Sequence, residues 1–114
     1  MELNKFIKKG TDTTNIVVSN EVPVIEFKLL KNIACISHGF STRLGGVSTG
    51  CFESMNLSLT RGDDAALVTE NFRRFTDALG MDWQRMVFSD QTHTTNVGIV
   101  TEADMGKGIV RAKD

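Results

Sequence analysis

One stretch of this chain repeats its apolar residues clearly at helical spacing. Val68, Phe72, Phe75 and Leu79 fall on a single stripe, which predicts an amphipathic helix over residues 64–79 with one buried face. Asp63 or Asp64 stands where an N-cap is needed, and Gly80 stands where the chain must leave the helix. A single helix of this length covers at most one face of a sheet. The remaining residues must therefore build the sheet from short strands, and its second face needs a partner.

Short apolar runs supply those strands. Residues 4–9 and 15–19 read as strands around a polar turn at 10–14. Residues 22–30 follow, with Pro23 near the start, where a strand edge tolerates a missing N–H. Residues 33–40 are the most strand-like of all, and 86–89 and 97–100 complete the set. Strands, one helix, then strands describe an α+β fold, a mixed sheet with one main helix, in a single domain over residues 1–114. No repeat or low-complexity segment interrupts it.

Composition narrows the function classes. Thirteen basic residues against fourteen acidic ones leave a net charge of -1, and they alternate rather than cluster, which argues against a nucleic-acid partner. No apolar run is long enough to span a bilayer. The lysines near the N-terminus lead into no apolar segment, so no signal peptide is expected and a cytoplasmic location is the default. The two cysteines, Cys35 and Cys51, lack any C-x-x-C spacing. They are expected to be free thiols, with Cys35 packed in the strand over residues 33–40.

Two segments carry residues that do chemistry. The run from Asp90 to Asn96 is entirely polar and contains His93; an imidazole at a strand end serves as a metal ligand or a general base, or simply as a hydrogen-bonded surface residue. No other His or Cys lies at zinc-ligand spacing from it. The loop over residues 41–50 holds Arg43 and three glycines, Gly45, Gly46 and Gly50. Such a loop either cradles an anion with its N–H groups or makes a tight connection between sheet and helix. It matches neither the P-loop nor the dinucleotide pattern. His38 reads as a histidine that hydrogen-bonds backbone at a strand end, and Arg73 and Arg74 as the solvated face of the helix.

Together these segments resemble one family. The string His38-Gly39-Phe40-Ser41-Thr42-Arg43-Leu44-Gly45-Gly46-Val47-Ser48 is followed in order by Ser54-Met55-Asn56-Leu57-Ser58, Gly62-Asp63-Asp64, Val68 with Glu70-Asn71, and Gln91-Thr92-His93. The pattern is similar to that of the laccase-domain proteins, the polyphenol oxidoreductases and purine nucleoside phosphorylases of one family, and it runs from about Val22 onward. The resemblance implies a zinc-type site made by a histidine, a cysteine and a second histidine. His93 maps onto the first. The other two belong to D-C and H-A-G-W-R-G segments that do not occur in residues 1–114. By that resemblance the chain is expected to be the N-terminal portion of a longer enzyme and inactive alone, with a tendency to self-associate through an uncovered face.

The implied chemistry concerns purine nucleosides and phosphate. A three-ligand zinc site leaves room for an acidic water suited to adenosine deamination, whereas phosphorolysis requires an oriented phosphate and a protonated leaving base. Arg43, Gly45 and Gly46 are the implied substrate-binding residues. The older family name keeps copper-dependent phenol oxidation open as an alternative metal and reaction, and a non-catalytic binding module is the alternative from another class. At position 72 the family pattern has an arginine where this chain has Phe72, which also fits the apolar stripe of the helix. His93 and Arg43 are expected to face one cleft, with His93 at a strand end and outside the core.

Overall fold

The computed structural model describes residues 7–112. Two antiparallel strands open it, β1 (Thr14–Ser19) and β2 (Val22–Phe27), in register from Thr14 opposite Phe27 to Ser19 opposite Val22. The two residues between them, Asn20 and Glu21, both have positive φ, 50° and 64°. That is the backbone of the two-residue turn whose twist matches a hairpin, and Asn adopts it readily. A four-residue helical turn, α1 (Lys28–Lys31), follows β2, and a two-residue strand, β3 (Phe40–Ser41), pairs antiparallel with β2 at Val24 and Ile25. The sheet order is therefore β1-β2-β3. Pro23 sits within the central strand but outside the stretch bonded to β3, so its missing N–H breaks no bond there.

The main helix, α2 (Ala65–Ala78), packs on β2. Asp64 caps it, its carboxylate accepting from the Ala66 N–H at 2.8 Å. At the other end Gly80 has φ 71°, and the Met81 and Gly80 amides donate to the Thr76 and Asp77 carbonyls at 2.8 and 3.1 Å. This pair of bonds satisfies carbonyls that the helix leaves open. A Cβ at Gly80 would meet no atom within 4 Å, so Gly80→Ala isolates backbone strain from packing. We expect a loss of about 1 kcal/mol, read as a lowered urea midpoint with an unchanged m-value.

Val22, Val24 and Met55 form the buried cluster, with Leu57, Phe75, Ala78 and Leu79 packed against it. Val68 and Phe72 are buried on the same helix, so the apolar stripe read from the sequence is the buried face of α2. The fold is the expected mixed α/β arrangement with one main helix. No helix among the described residues is long and apolar enough to cross a membrane.

Several expected strands do not form. Of the expected strand over residues 4–9, residues 4–6 lie outside the described residues, and residues 7–9 form no named strand. The run 22–30 is a strand only to Phe27, and then turns into α1. Residues 33–40 bend, with the Ile36 amide donating to the Ile33 carbonyl at 3.2 Å, and only Phe40–Ser41 pairs. Cys35 is consequently exposed rather than packed in a strand, and so is Cys51. Short apolar runs are ambiguous, and a strand needs a neighbour as well as a propensity. Here β2 already has β1 on one side and offers only two residues on the other. Residues 86–88 are extended against 106–107, through Phe88 N–H to Lys107 O at 2.9 Å and Gly106 N–H to Met86 O at 3.0 Å. They and residues 97–100 form no named strand, and Val97 and Ile99 are about nine-tenths exposed.

Candidate functional site

The glycine loop is held from three directions. The Arg43 carbonyl accepts from the Ser54 N–H, the Met55 N–H and the Ser54 hydroxyl, each at 2.9 Å. Gly46 N–H donates to Ser54 Oγ at 3.2 Å and Ser48 N–H to the Ser54 carbonyl at 3.0 Å. From the helix, the fully buried Asn71 accepts the Val47 N–H at 2.7 Å through Oδ1. Its Nδ2 donates to Ser48 Oγ and to the Asn56 carbonyl, both at 2.9 Å. One side chain thus uses both ends of its amide to fasten the loop to α2.

Asp63 completes this network. Its Oδ2 accepts from Ser48 Oγ at 2.6 Å and from Asn56 Nδ2 at 3.0 Å, and its Oδ1 accepts the Asp64 N–H at 2.8 Å. The Ser48 hydroxyl, then the Asn56 amide, hold the Asp63 carboxyl below its usual range, against an opposing effect of burial. A depressed folded value means that the stabilisation is complete above the unfolded value of about 3.9 and is lost as pH falls through the folded one. We therefore expect the Asn56 side-chain amide and the Val47 backbone amide to shift together in an NMR titration, with their midpoint below that value. In Ser48→Ala the midpoint should rise toward it. A midpoint unmoved by that substitution would show that the hydroxyl does not hold the carboxylate.

The glycines themselves face the protein. Gly45 has φ 91°, and a Cβ there would lie 3.0 Å from the Glu21 carbonyl and from Val22 Cα; at Gly46 it would lie 2.1 Å from the Ser54 carbonyl oxygen. The Leu44 N–H donates to Thr42 Oγ1 at 3.1 Å. With the Gly46, Val47 and Ser48 amides also committed, four of the loop's N–H groups are taken by partners within the protein. This supports the tight-connection reading of the backbone and leaves the Arg43 side chain as the group directed outward.

Arg43 is exposed, and its Nη2 donates to the Glu53 carbonyl at 3.3 Å. It lines an open cavity of about 470 Å³ whose other walls include Ser41, Cys51, Glu53, Ser58 and Arg61. A second cavity, of about 840 Å³, shares Leu57, Ser58 and Arg61 with the first. Phe72 and Phe88 line it too, meeting edge to face with ring centres 5.0 Å apart. His93 lines a third concavity, formed by its own loop with Asp90, Gln91 and Asn96 among the walls. Ser89, Asp90 and Gln91 are common to the second and third. His93 and Arg43 therefore do not face one cleft as expected. They line separate concavities joined through the one that Phe72 and Phe88 share.

His93 is exposed with φ 56°, in a loop rather than at a strand end. Among the described residues no three His, Cys, Asp or Glu side chains come together as a metal site. His38 is half-buried, stacks on Phe27 and accepts the Phe27 N–H on Nε2 at 2.8 Å, which is the structural role read from the sequence. Arg73 is the solvated residue expected, paired with Glu70 at 2.6 Å and Asp77 at 2.7 Å. Arg74 differs: it bridges Glu70 at 3.1 Å and the Gly45 carbonyl at 3.5 Å, and so braces the loop. Glu70, bonded first by Arg73 and also by Arg74, is held down to about 2.

The loop, its buried asparagine and the Asp63 turn are all segments of one sequence pattern, and the profile of the multi-copper polyphenol oxidoreductase laccases matches residues 37–114. The chain belongs to this family. Among members, it is 46% identical over 70 residues to purine nucleoside phosphorylase YlmD of Bacillus subtilis (strain 168), covering 61% of this chain and 25% of the relative. A purine nucleoside phosphorylase of Corynebacterium glutamicum is 36% identical over 75 residues, covering 66% and 30%. The crystal structure of YlmD from Geobacillus stearothermophilus superposes with a TM-score of 0.59 at 38% identity, over 62% of this chain and 26% of that one. That of Bacillus licheniformis YfiH gives 0.72 at 28% identity, over 89% and 36%. The chain thus spans roughly a quarter to a third of the length of these relatives.

Proposed function

We propose that this chain is the N-terminal part of a purine nucleoside phosphorylase of the laccase family, with adenosine deamination as a second activity of the same site. The observation that carries the reading is the likeness to relatives named purine nucleoside phosphorylase, over the segment that contains the Arg43 loop and the Asn71 anchor. His93 is assigned as one ligand of a zinc site whose cysteine and second histidine lie outside residues 1–114. Copper is the alternative metal.

The residues in this chain contribute binding and position. Asn71, Ser54 and Arg74 fix the loop that presents Arg43, and a guanidinium suits a phosphate because its donors match the oxygens in pairs. The cavity beside it is walled in part by Phe88, which packs edge to face on the buried Phe72 and suits the flat face of a purine. Phosphorolysis needs the phosphate oriented toward the sugar carbon that loses the base. The test is to assay the longer protein with inosine or adenosine, with and without phosphate, separating ribose 1-phosphate release from ammonia release. Phenol oxidation without turnover of either nucleoside would overturn the reading.

A further inference from the structure

We propose that Arg61 acts with Arg43 as a two-guanidinium site for a single phosphoryl group, in the 470 Å³ cavity that both residues line. The identity of the anion rests on the phosphorolytic reading above; the site itself rests on the placement of charge. Among the described residues carboxylates pair with Lys8 and Lys28 (Asp12), Lys31 (Glu26), Arg73 and Arg74 (Glu70) and Lys107 (Asp104). Arg43 and Arg61, like Lys9, Arg85 and Arg111, have no carboxylate partner there, and these two alone of that group line the 470 Å³ cavity. Arg43 bonds only a carbonyl, and Arg61 is exposed.

The walls suit an anion. Ser41 and Ser58 bring hydroxyls, while Glu53 is the one acidic residue lining the cavity against two arginines. Two guanidiniums at one cavity bind a tetrahedral dianion better than one does, since each adds charge-assisted bonds to different oxygens. Arg61 also lines the neighbouring cavity with Phe72 and Phe88. A phosphoryl group between the two arginines would therefore border the space assigned to the purine nucleoside. Arg61 was not singled out in the sequence, because it falls between the segments Ser54–Ser58 and Gly62–Asp64 and belongs to neither.

Cys51 gives a direct probe. It lines the same cavity, whereas Cys35 is exposed outside both cavities. Alkylation of the two thiols by iodoacetamide is followed by peptide mass spectrometry, in inorganic phosphate or in chloride at equal ionic strength. Phosphate should slow Cys51 several-fold relative to Cys35. Arg61→Gln should raise the phosphate concentration needed for that protection by about tenfold, the cost of one charge-assisted contact. Arg85→Gln, outside the cavity, should leave it unchanged. Absence of protection, or protection indifferent to Arg61→Gln, overturns the proposal.

Turnover separates this inference from the functional reading. In the longer protein, Arg61→Gln should raise the phosphate KM about tenfold and leave the nucleoside KM in place. Phosphorolysis with an unaltered phosphate KM would remove Arg61 and spare the activity. Protection of Cys51 that depends on Arg61, in a protein that turns over no nucleoside, would keep the anion site and remove the phosphorylase reading.

Discussion

The 114-residue chain should show no phosphorolysis or deamination of purine nucleosides, and His93→Ala in the longer protein should lower turnover by about a hundredfold or more. The expectation follows from ligand arithmetic. Catalytic zinc sites use about three protein ligands and keep one position for water or substrate. Among the described residues no such trio exists, and His93 stands in a loop with its ring in solvent. A lone imidazole gives neither the affinity nor the fixed geometry that catalysis requires. Two readouts keep the test informative. Metal content of the purified longer protein should fall in His93→Ala while its circular dichroism stays constant, because an exposed loop residue carries little of the fold. Activity retained in His93→Ala at full metal content would remove His93 from the site. Nucleoside turnover by the 114-residue chain at the rate of the longer protein would remove the need for any further ligand. The same chain is expected to self-associate, since Val97, Ile99 and Phe40 present apolar surface to solvent, and sedimentation would show this as a concentration-dependent mass.

The helix was legible because its signals are local and agree with one another. The spacing of Val68, Phe72, Phe75 and Leu79, the cap at Asp64 and the stop at Gly80 all concern neighbours in sequence. The hairpin strands β1 and β2 were legible for the same reason. The failures involve partners that sequence does not supply. Residues 33–36 have strand composition, yet β2 offers β3 only Val24 and Ile25, so the run turns and Cys35 reaches solvent. Residues 97–100 are apolar but find no neighbouring strand among the described residues. At the site, the presence of a special loop at 41–50 was plain from its glycines. What those glycines do was not, since close approach to a ligand and close approach to Ser54 leave the same mark in a sequence. Asn71 drew attention only as part of a family string. Three bonds to residues 15 to 24 positions away explain it, and no periodicity shows such bonds.

Asn71→Ala should be the most damaging single change to the loop that presents Arg43, costing roughly 3 kcal/mol. The side chain is fully buried and bonds the Val47 amide, the Ser48 hydroxyl and the Asn56 carbonyl. Alanine leaves all three facing a void that excludes good replacements, and unmet buried polar groups cost more than the bonds contributed. Urea unfolding should show the lower midpoint, and a proton–nitrogen spectrum should show the Val47 and Ser48 amides displaced most. Asn71→Asp isolates the chemistry from the shape, because it keeps the volume and the acceptor for Val47. It loses the two donated bonds and sets a second carboxylate against Ser48 Oγ, which already donates to Asp63 at 2.6 Å. Burial and the nearby Asp63 charge both disfavour ionisation of the new carboxyl, so its folded pKa lies above the unfolded value of about 3.9. The variant's stability should then fall as pH rises through the folded value, and recover in part as pH is lowered toward about 5. The parent protein, whose Asp63 is already ionised there, should show no such recovery. Equal stability of Asn71→Asp and the parent at neutral pH would mean that Nδ2 holds nothing, and that the loop is fixed from the Ser54 side alone.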